Sequence, residues 1–357
     1  MRATVNTTSL SNIGRSVILV TFWLTSSAIS AAPTGDFLAQ SGPYLGEQPP
    51  GDTPQIFAPG LISTPRNFTG GITFSADGQV LVYKVTVPGD NLDQQMWYSV
   101  QTAGHWTAPV RMPFDGEFEN WDFQFSRTGR SLYFTSRRPA IFDGNTSRYS
   151  HVWQSEYGAD GWTEPVLVPP PVNEFDTYSG YPSITRDGTL YFHSERLDSR
   201  GKIDIYRARL VDGHYSEAEN LGGPVNTHNR ELDPAIAPDE SALVFLSNRP
   251  NDGPHTYDLY VSYRDAEDNW SEPQGLFSLV GKGSGLPGFS TDGKFFFFTG
   301  VDKEGDGESD EASVVAMNPY WVSTDALPVL TKPAPYLGLT PPLDEAEVFC
   351  AGDRHNR

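Results

Sequence analysis

The segment ITRDGTLYFHSER, residues 184–196, is one of five related segments that recur along the chain and together indicate a repeat fold. Each begins with an apolar residue and a small residue, turns at Asp-Gly or a variant of it, and continues as an apolar run, mostly rich in aromatics. The other four copies begin at Phe74, Phe125, Ile236 and Phe289, so neighbouring copies start 51 to 59 residues apart. A strand-rich period longer than about 40 residues predicts a radial β-repeat rather than a single-core enzyme fold.

One repeat divides into four short strands. In the third repeat, residues 181–184 form the innermost strand, an Asp-Gly turn follows, and residues 190–194 form the second strand. Residues 204–208 and 215–221 follow as the third and outer strands. The sequence therefore predicts an all-β protein: a β-propeller of five blades, each with four antiparallel strands. A six-bladed propeller is the alternative.

The two ends of the repeat region complement each other. The last repeat has three evident strands and no outer strand, whereas residues 55–61 (QIFAPGL), ahead of the first repeat, resemble an outer strand. We expect this N-terminal strand to pair with the last blade, because ring closure removes strand edges that otherwise promote aggregation.

The segments outside the repeats predict export. Arg2 and Arg15 precede an apolar stretch at residues 17–24 and then small residues, which is the order of a secretory signal peptide. We assign residues 1–31 to this signal peptide, 32–54 to a linker, 55–325 to the propeller and 326–357 to a C-terminal tail. The mature protein is expected to be periplasmic or secreted, monomeric and without a membrane span. Its single cysteine, Cys350, excludes an internal disulfide.

The charge of the chain limits its partners. A formal net charge of −20 argues against nucleic acid, whose phosphates require Lys and Arg. Residues 302–311 (DKEGDGESDE) are dense in carboxylates, and oxygen ligands in a glycine-containing loop can hold calcium. Asp302, Asp306 and Asp310 are the candidate ligands. The alternative is a solvated acidic loop without any cofactor.

Several motifs carry a resemblance to a known family. The FSxDG turn, the second strand LYFxS, its Ser-x-Arg ending and the third strand DIY resemble the WD40-like repeats of TolB-like β-propeller proteins. The resemblance covers about residues 55–322. It implies an exported propeller that serves as a recognition platform.

Polar residues of the innermost strands are the candidate site, because these strands and their loops converge on the central channel. Aligned repeats place Asp122 and Asp233 at the same position. Paired carboxyl groups beside a cavity can act as general acid and base on a glycoside, so Asp122, Glu231 and Asp233 are the catalytic candidates. The ligand-binding candidates are Asn120, Asp122, Tyr178, Tyr181, Arg230, Glu231 and Asp233. Turn capping and blade-to-blade hydrogen bonding are the structural alternative.

Other recurring residues are assigned to the scaffold. Arg138, Arg196 and Arg249 occupy one repeat position, which favours structural pairing with acids such as Asp204 over ligand binding. A Trp recurs at positions 106, 162 and 270, where a large flat ring can pack between neighbouring sheets.

Two functions of different classes follow. The first is a binding module that recognises a protein or a glycan at the channel face. The second is a glycan-active hydrolase or lyase that uses the channel carboxyls. The sequence has no GxSxG, HExxH, zinc or phosphate-loop signature, which favours the binding module and leaves the question of enzyme activity open.

Overall fold

The computed structural model describes residues 36–64, 68–87, 93–250, 257–281, 284–304 and 313–324. The predicted signal peptide, the C-terminal tail with Cys350, and most of the acidic segment lie outside these ranges. Among the residues in these ranges, none of the helices could span a membrane. The helical elements here are two 3₁₀ turns, Phe37–Ala39 and Pro43–Gly46, and one α-helical turn, Phe277–Val280.

Five antiparallel sheets form the blades of a propeller, which confirms the predicted fold. The innermost strands are Phe68–Phe74, Asn120–Phe125, Ser179–Ile184, Glu231–Ile236 and Gly285–Phe289. The second strands are Val80–Val87, Ser131–Ser136, Leu190–Ser194, Ala242–Ser247 and Phe295–Glu304. The third strands are Asp93–Thr102, His151–Gly158, Asp204–Ala208, Asp258–Tyr263 and Ser313–Ser323. The outer strands of blades 1 to 4 are Val110–Arg111, Val166–Leu167, Glu219–Asn220 and Gln274–Gly275.

Short hairpins extend three of the blades. His105–Trp106 and Gly161–Trp162 pair with the far ends of the third strands of blades 1 and 2. Leu210–Val211 pairs with His214–Tyr215 in blade 3. A further pair, Ile141–Phe142 and Asn145–Thr146, lies between the second and third strands of blade 2.

The ring closes as predicted. Gln55–Ile56 pairs antiparallel with the third strand of blade 5, where Gln55 lies opposite Trp321. The Phe57 ring then packs edge-on against the Trp321 ring at 5.1 Å. Residues 36–46, part of the expected linker, also pack on the propeller, because the apolar side chains of Phe37 and Leu45 are buried there.

Aromatic rings fill the space between blades. Trp162 of blade 2 contacts Tyr98 of blade 1 at 5.7 Å between ring centroids, and Trp270 of blade 4 contacts Tyr191 of blade 3 at 6.4 Å. These edge-on contacts match the packing role inferred for the recurring tryptophans.

The recurring arginines hold the segments that link consecutive blades. Arg196 donates to Glu174 at 2.6 Å, and Arg249 donates to the Val225 carbonyl at 2.6 Å. The expected pairing with Asp204 is wrong, because that carboxylate accepts the backbone N–H groups of the loop preceding its own strand. The structural role stands, but the acids are Glu174 for Arg196 and Glu231 for Arg249.

Each innermost strand contains one extra residue relative to its neighbour, and this bulge residue has a positive φ. The bulge residues are Gly71, Asp122, Tyr181, Asp233 and Leu286, with φ between 49° and 68°. Glycine, and to a lesser extent aspartate, adopt this conformation readily, whereas for Tyr and Leu it is strained.

The bulges connect the blades. The N–H of Tyr181 donates to Thr135 Oγ1 of the preceding blade at 3.0 Å, and the N–H of Asp233 donates to His193 Nδ1 at 3.0 Å. Gly71 makes the corresponding bond to Thr299 Oγ1 at 3.3 Å. The acceptors occupy one register position on the second strands, so the same device recurs around the ring.

Arg127 lies across the axis at the end where the innermost strands finish. Its guanidinium donates to the carbonyls of Ile184, Ile236 and Phe289, at 2.8 to 3.1 Å, and so joins blades 3, 4 and 5 to its own blade 2. Burial lowers the pKa of Arg127 to about 9. At neutral pH the side chain therefore remains a charged donor.

Replacing Arg127 with Met is expected to lower the free energy of unfolding by about 2–4 kcal/mol, because buried carbonyls of three blades lose a charged donor. Chemical denaturation followed by tryptophan fluorescence measures the loss. Arg186→Met is the matched control, since Arg186 occupies the same turn position in the next blade but is exposed. An Arg127→Met protein as stable as the wild type would contradict this role.

Candidate functional site

Polar side chains converge at the other end of the channel, where the innermost strands begin. Asp122 and Asp233 come from the bulges of blades 2 and 4. Lys84 comes from the second strand of blade 1, and Tyr178 directly precedes the innermost strand of blade 3. We call these four side chains the channel mouth. The charge of Asp122 acts on both Asp233 and Tyr178, and Lys84 acts on both carboxyls, so the four form one electrostatic group.

The two carboxyl groups of the mouth hold their protons unusually tightly. Burial raises the pKa of Asp122 to about 6, and the Lys84 ammonium acts in the opposite direction. Burial and the charge of Asp122 raise the pKa of Asp233 well above its usual range, again opposed by Lys84. The two carboxyls therefore titrate as a coupled pair, in which Asp122 ionises before Asp233.

Lys84 occupies the register position at which other blades carry the acceptor for a bulge N–H. Thr135, His193 and Thr299 fill this position in blades 2, 3 and 5, whereas Lys84 has no acceptor to offer. Its side chain is buried within the wall of the mouth, and its ammonium favours the ionised forms of both aspartates. In blade 1 a positive charge therefore takes the place of the acceptor that would bond to the bulge N–H of blade 2.

His193 orients the Tyr178 hydroxyl. Its Nδ1 accepts the Asp233 N–H, so the proton of the neutral ring is on Nε2, which donates to the Tyr178 oxygen at 2.8 Å. Burial lowers the pKa of His193 to about 3, which keeps the ring neutral. Since the Tyr178 oxygen accepts this bond, its own proton is available to a ligand.

Gly180 makes this arrangement sterically feasible. A Cβ at this position would lie 2.4 Å from the Tyr178 hydroxyl oxygen and 3.0 Å from His193 Nε2. Any larger residue would therefore displace the pair from its present position.

A cavity of about 510 Å³ adjoins the mouth. We call it the mouth cavity; Lys84, Trp121 and Asp122 belong to its wall, and residues 115–119 line it on the side of the link between blades 1 and 2. The Arg137 guanidinium lies 5.7 Å from the centre of the Trp121 ring. This volume is within the usual range for small-molecule sites.

Residues 115–119, called the ridge, are held firmly. Asp115 accepts from Arg111 Nε at 2.9 Å and from the Asn120 amide at 3.2 Å, and the same amide donates to the Phe118 carbonyl at 2.9 Å. Gly116 adopts a φ of 110°, a conformation that favours glycine. The ridge is therefore a fixed wall of the cavity.

The structure separates the predicted ligand-binding residues into two groups. Asp122, Asp233, Tyr178 and Tyr181 come together at the mouth, although the Tyr181 hydroxyl is already used in a bond to the Pro287 carbonyl at 2.9 Å. Asn120 also lines the mouth cavity, but it is largely buried and its amide supports the ridge.

Glu231 and Arg230 are not part of this group of contacts. The Glu231 carboxylate is fully buried and accepts bonds from Thr227, Ser247 and Arg249. Arg230 is half-buried, and its backbone N–H donates to Asn248. The contacts of Glu231 therefore favour a structural role.

Lys84, His193 and Trp121 were not predicted as site residues. A sequence signal existed for the first two, because a Lys and a His interrupt apolar second strands at the position that carries Thr in two other repeats. Trp121 was visible only as the neighbour of Asp122.

The described residues contain no group of three or more His, Cys, Asp or Glu side chains that could hold a metal ion. Of the calcium candidates, Asp306 and Asp310 lie outside the described residues, as does the side chain of Asp302. The calcium hypothesis stays a prediction.

Comparison with models of known protein families and with curated proteins finds no match. Solved structures with a similar fold include a TolB-like protein from Agrobacterium tumefaciens, at 17% identity and a TM-score of 0.34, covering 59% of this chain and 81% of that one. An α-L-arabinofuranosidase from Lactobacillus brevis has 17% identity and a TM-score of 0.44, with 75% and 94% covered. A thermostable family-43 glycoside hydrolase has 10% identity and a TM-score of 0.41, with 72% and 88% covered. These values are too low to assign a family or an activity.

The raised pKa of Asp122 makes stability depend on pH. An unfolded aspartate releases its proton near about pH 4, but the folded group holds it up to about 6. Proton binding therefore favours the folded state at low pH, and this contribution to stability is lost as the pH rises through 6. The melting temperature of Asp122→Asn relative to the wild type should therefore rise between pH 4 and pH 7. Thermal denaturation at a series of pH values measures this difference.

Asp212→Asn is the control for replacing a left-handed aspartate with asparagine, because Asp212 has a φ of 50° and is exposed in the hairpin of blade 3. A melting-temperature difference for Asp122→Asn that stays constant with pH would show that its carboxyl titrates normally.

Proposed function

We propose that this chain is an exported recognition module that binds a glycan at the channel mouth. The observation that carries the proposal is the convergence of Lys84, Asp122, Tyr178 and Asp233, from four different blades, beside a cavity of about 510 Å³. The repeated motif is explained by its role in the scaffold, whereas this group of four side chains is not part of that motif.

The chemistry of the mouth suits a ligand with several hydroxyl groups. Lys84 and Tyr178 offer donors, the Asp122 carboxylate offers an acceptor, and the Asp233 carboxyl can accept and, while it keeps its proton, donate. Sugar hydroxyls likewise donate and accept, so neighbouring hydroxyls can bond to both kinds of group. The half-buried Trp121 ring adds an apolar surface beside these polar groups.

Glycoside hydrolysis is the second candidate function, and the contrast between the two carboxyls favours it. A group that keeps its proton can act as general acid, and one that ionises first can act as base or nucleophile. Asp233 would then be the acid and Asp122 the base or nucleophile. The distance between the two carboxyls would decide between retention and inversion.

Export to the periplasm or the medium is part of the proposal, supported by the basic, apolar and small-residue order of the N-terminal segment. An exported binding module would meet glycans outside the cytoplasm.

A polar protein loop is the alternative ligand for the same channel mouth.

A panel of mono- and tetrasaccharides of glucose, xylose, arabinose and galacturonic acid tests the proposal by isothermal titration calorimetry. At least one member should bind, and Asp122→Asn should weaken that binding about tenfold or more, because a charge-assisted hydrogen bond contributes about 1.5–3 kcal/mol. Asp212→Asn, at the exposed hairpin of blade 3, should bind like the wild type.

Release of reducing sugar from the same panel separates the two functions. Binding without release favours the module, whereas release that is lost in both Asp122→Asn and Asp233→Asn favours the hydrolase. Absence of binding and release across the panel would contradict both.

A further inference from the structure

A second cavity lies on the other side of the ridge. Its volume is about 300 Å³, and it is enclosed by the link between blades 1 and 2 and by the segment at Trp162 and Glu164 in blade 2. We call it the side cavity. Asp115, Glu117 and Phe118 line both cavities, so only the ridge separates them.

The side cavity offers carboxylates at its rim. Glu117 and Glu164 are exposed there, and charged carboxylates are strong acceptors for ligand hydroxyls. Both act electrostatically on Arg138, which also lines this cavity. The rim is therefore polar, as in the mouth cavity.

A cationic ligand does not suit the side cavity, because the protein already places its own cation there. The Arg138 guanidinium lies 5.3 to 5.6 Å from the ring centres of Phe114, Phe118, Phe134 and Trp153. These aromatic faces are thus occupied, and a second cation would be repelled. A neutral ligand with hydroxyl groups fits the remaining carboxylates.

The ridge fixes the spacing between the two cavities. Asp115 is held by Arg111 and Asn120, and a Cβ on Gly116 would lie 3.2 Å from Arg111 Nη2. A ligand that contacts both cavities must therefore extend across residues 115–119. A single sugar unit in the mouth cavity would leave the side cavity empty.

We propose that the ligand is an oligosaccharide that crosses the ridge, with one part in the mouth cavity and the next units in the side cavity. This inference rests on the proposed glycan-binding function and specifies its ligand as a chain of several units. The side cavity then selects for the length of the oligosaccharide. The channel mouth selects for the sugar unit at the end or at a branch of the oligosaccharide.

The test compares tetrasaccharide with monosaccharide affinity for the neutral sugar that binds best among glucose, xylose and arabinose. For the wild type the tetrasaccharide should bind about tenfold or more tightly, the equivalent of about 1.4 kcal/mol from the additional contacts. Glu164→Trp, which places a bulky ring in the side cavity, should bring this affinity ratio close to one.

Glu272→Trp is the matched control, because Glu272 occupies the same repeat position in blade 4 and is also exposed. It should keep the wild-type ratio. Circular dichroism and thermal melting confirm that both variants are folded.

Two results would overturn the inference while leaving glycan binding intact: a wild-type ratio near one, or an unchanged ratio in Glu164→Trp. Failure of every saccharide to bind would instead contradict the proposed function, and the inference with it.

Discussion

The bulge in each innermost strand is the constraint on which both the ring and the site depend. One inserted residue per strand adopts a left-handed conformation, and in three of the five blades its N–H bonds to a side chain of the preceding blade. Holding a non-glycine residue in this conformation costs about 1–3 kcal/mol, so the surrounding contacts must stabilise it. Strained Tyr181 makes two such contacts, through its N–H and its hydroxyl.

Differences between blades at this constraint produce the chemistry. Asp122 and Asp233 occupy equivalent bulges on two blades, and Lys84 replaces the acceptor that faces the first of them. Because His193 is the acceptor facing the second bulge, one side chain both stabilises that bulge and orients Tyr178. A repeated structural device therefore becomes a polar group where its components depart from the repeat.

The fold was predictable because its signals are local and repeated. The motif period gave five blades, and the missing outer strand of the last blade identified Gln55–Ile56 as the closing strand. The equivalence of Asp122 and Asp233 also followed from alignment alone. By contrast, the roles of Lys84 and Arg127 depend on where each side chain points within the channel. Alignment of the repeats does not specify this direction.

Glu231 also shows that repeat alignment does not specify the contacts of a side chain. It aligns beside the channel, but Thr227, Ser247 and Arg249 hold its carboxylate inside the scaffold. The sequence places Glu231 correctly on the innermost strand. Only the neighbouring side chains in the structure show that its carboxylate oxygens already accept hydrogen bonds.

Asp122 and Asp233 titrate as a coupled pair beside the Lys84 ammonium, and ¹³C NMR of the aspartate carboxyls against pH measures this coupling. We expect a midpoint of about 6 for Asp122 and one well above the usual aspartate range for Asp233. Lys84→Met should raise both midpoints, and Asp122→Asn should lower that of Asp233, since each loses a charge that acts on it. Midpoints near about 4 for both carboxyls, unchanged in the variants, would show that the two groups are neither coupled nor shifted by burial.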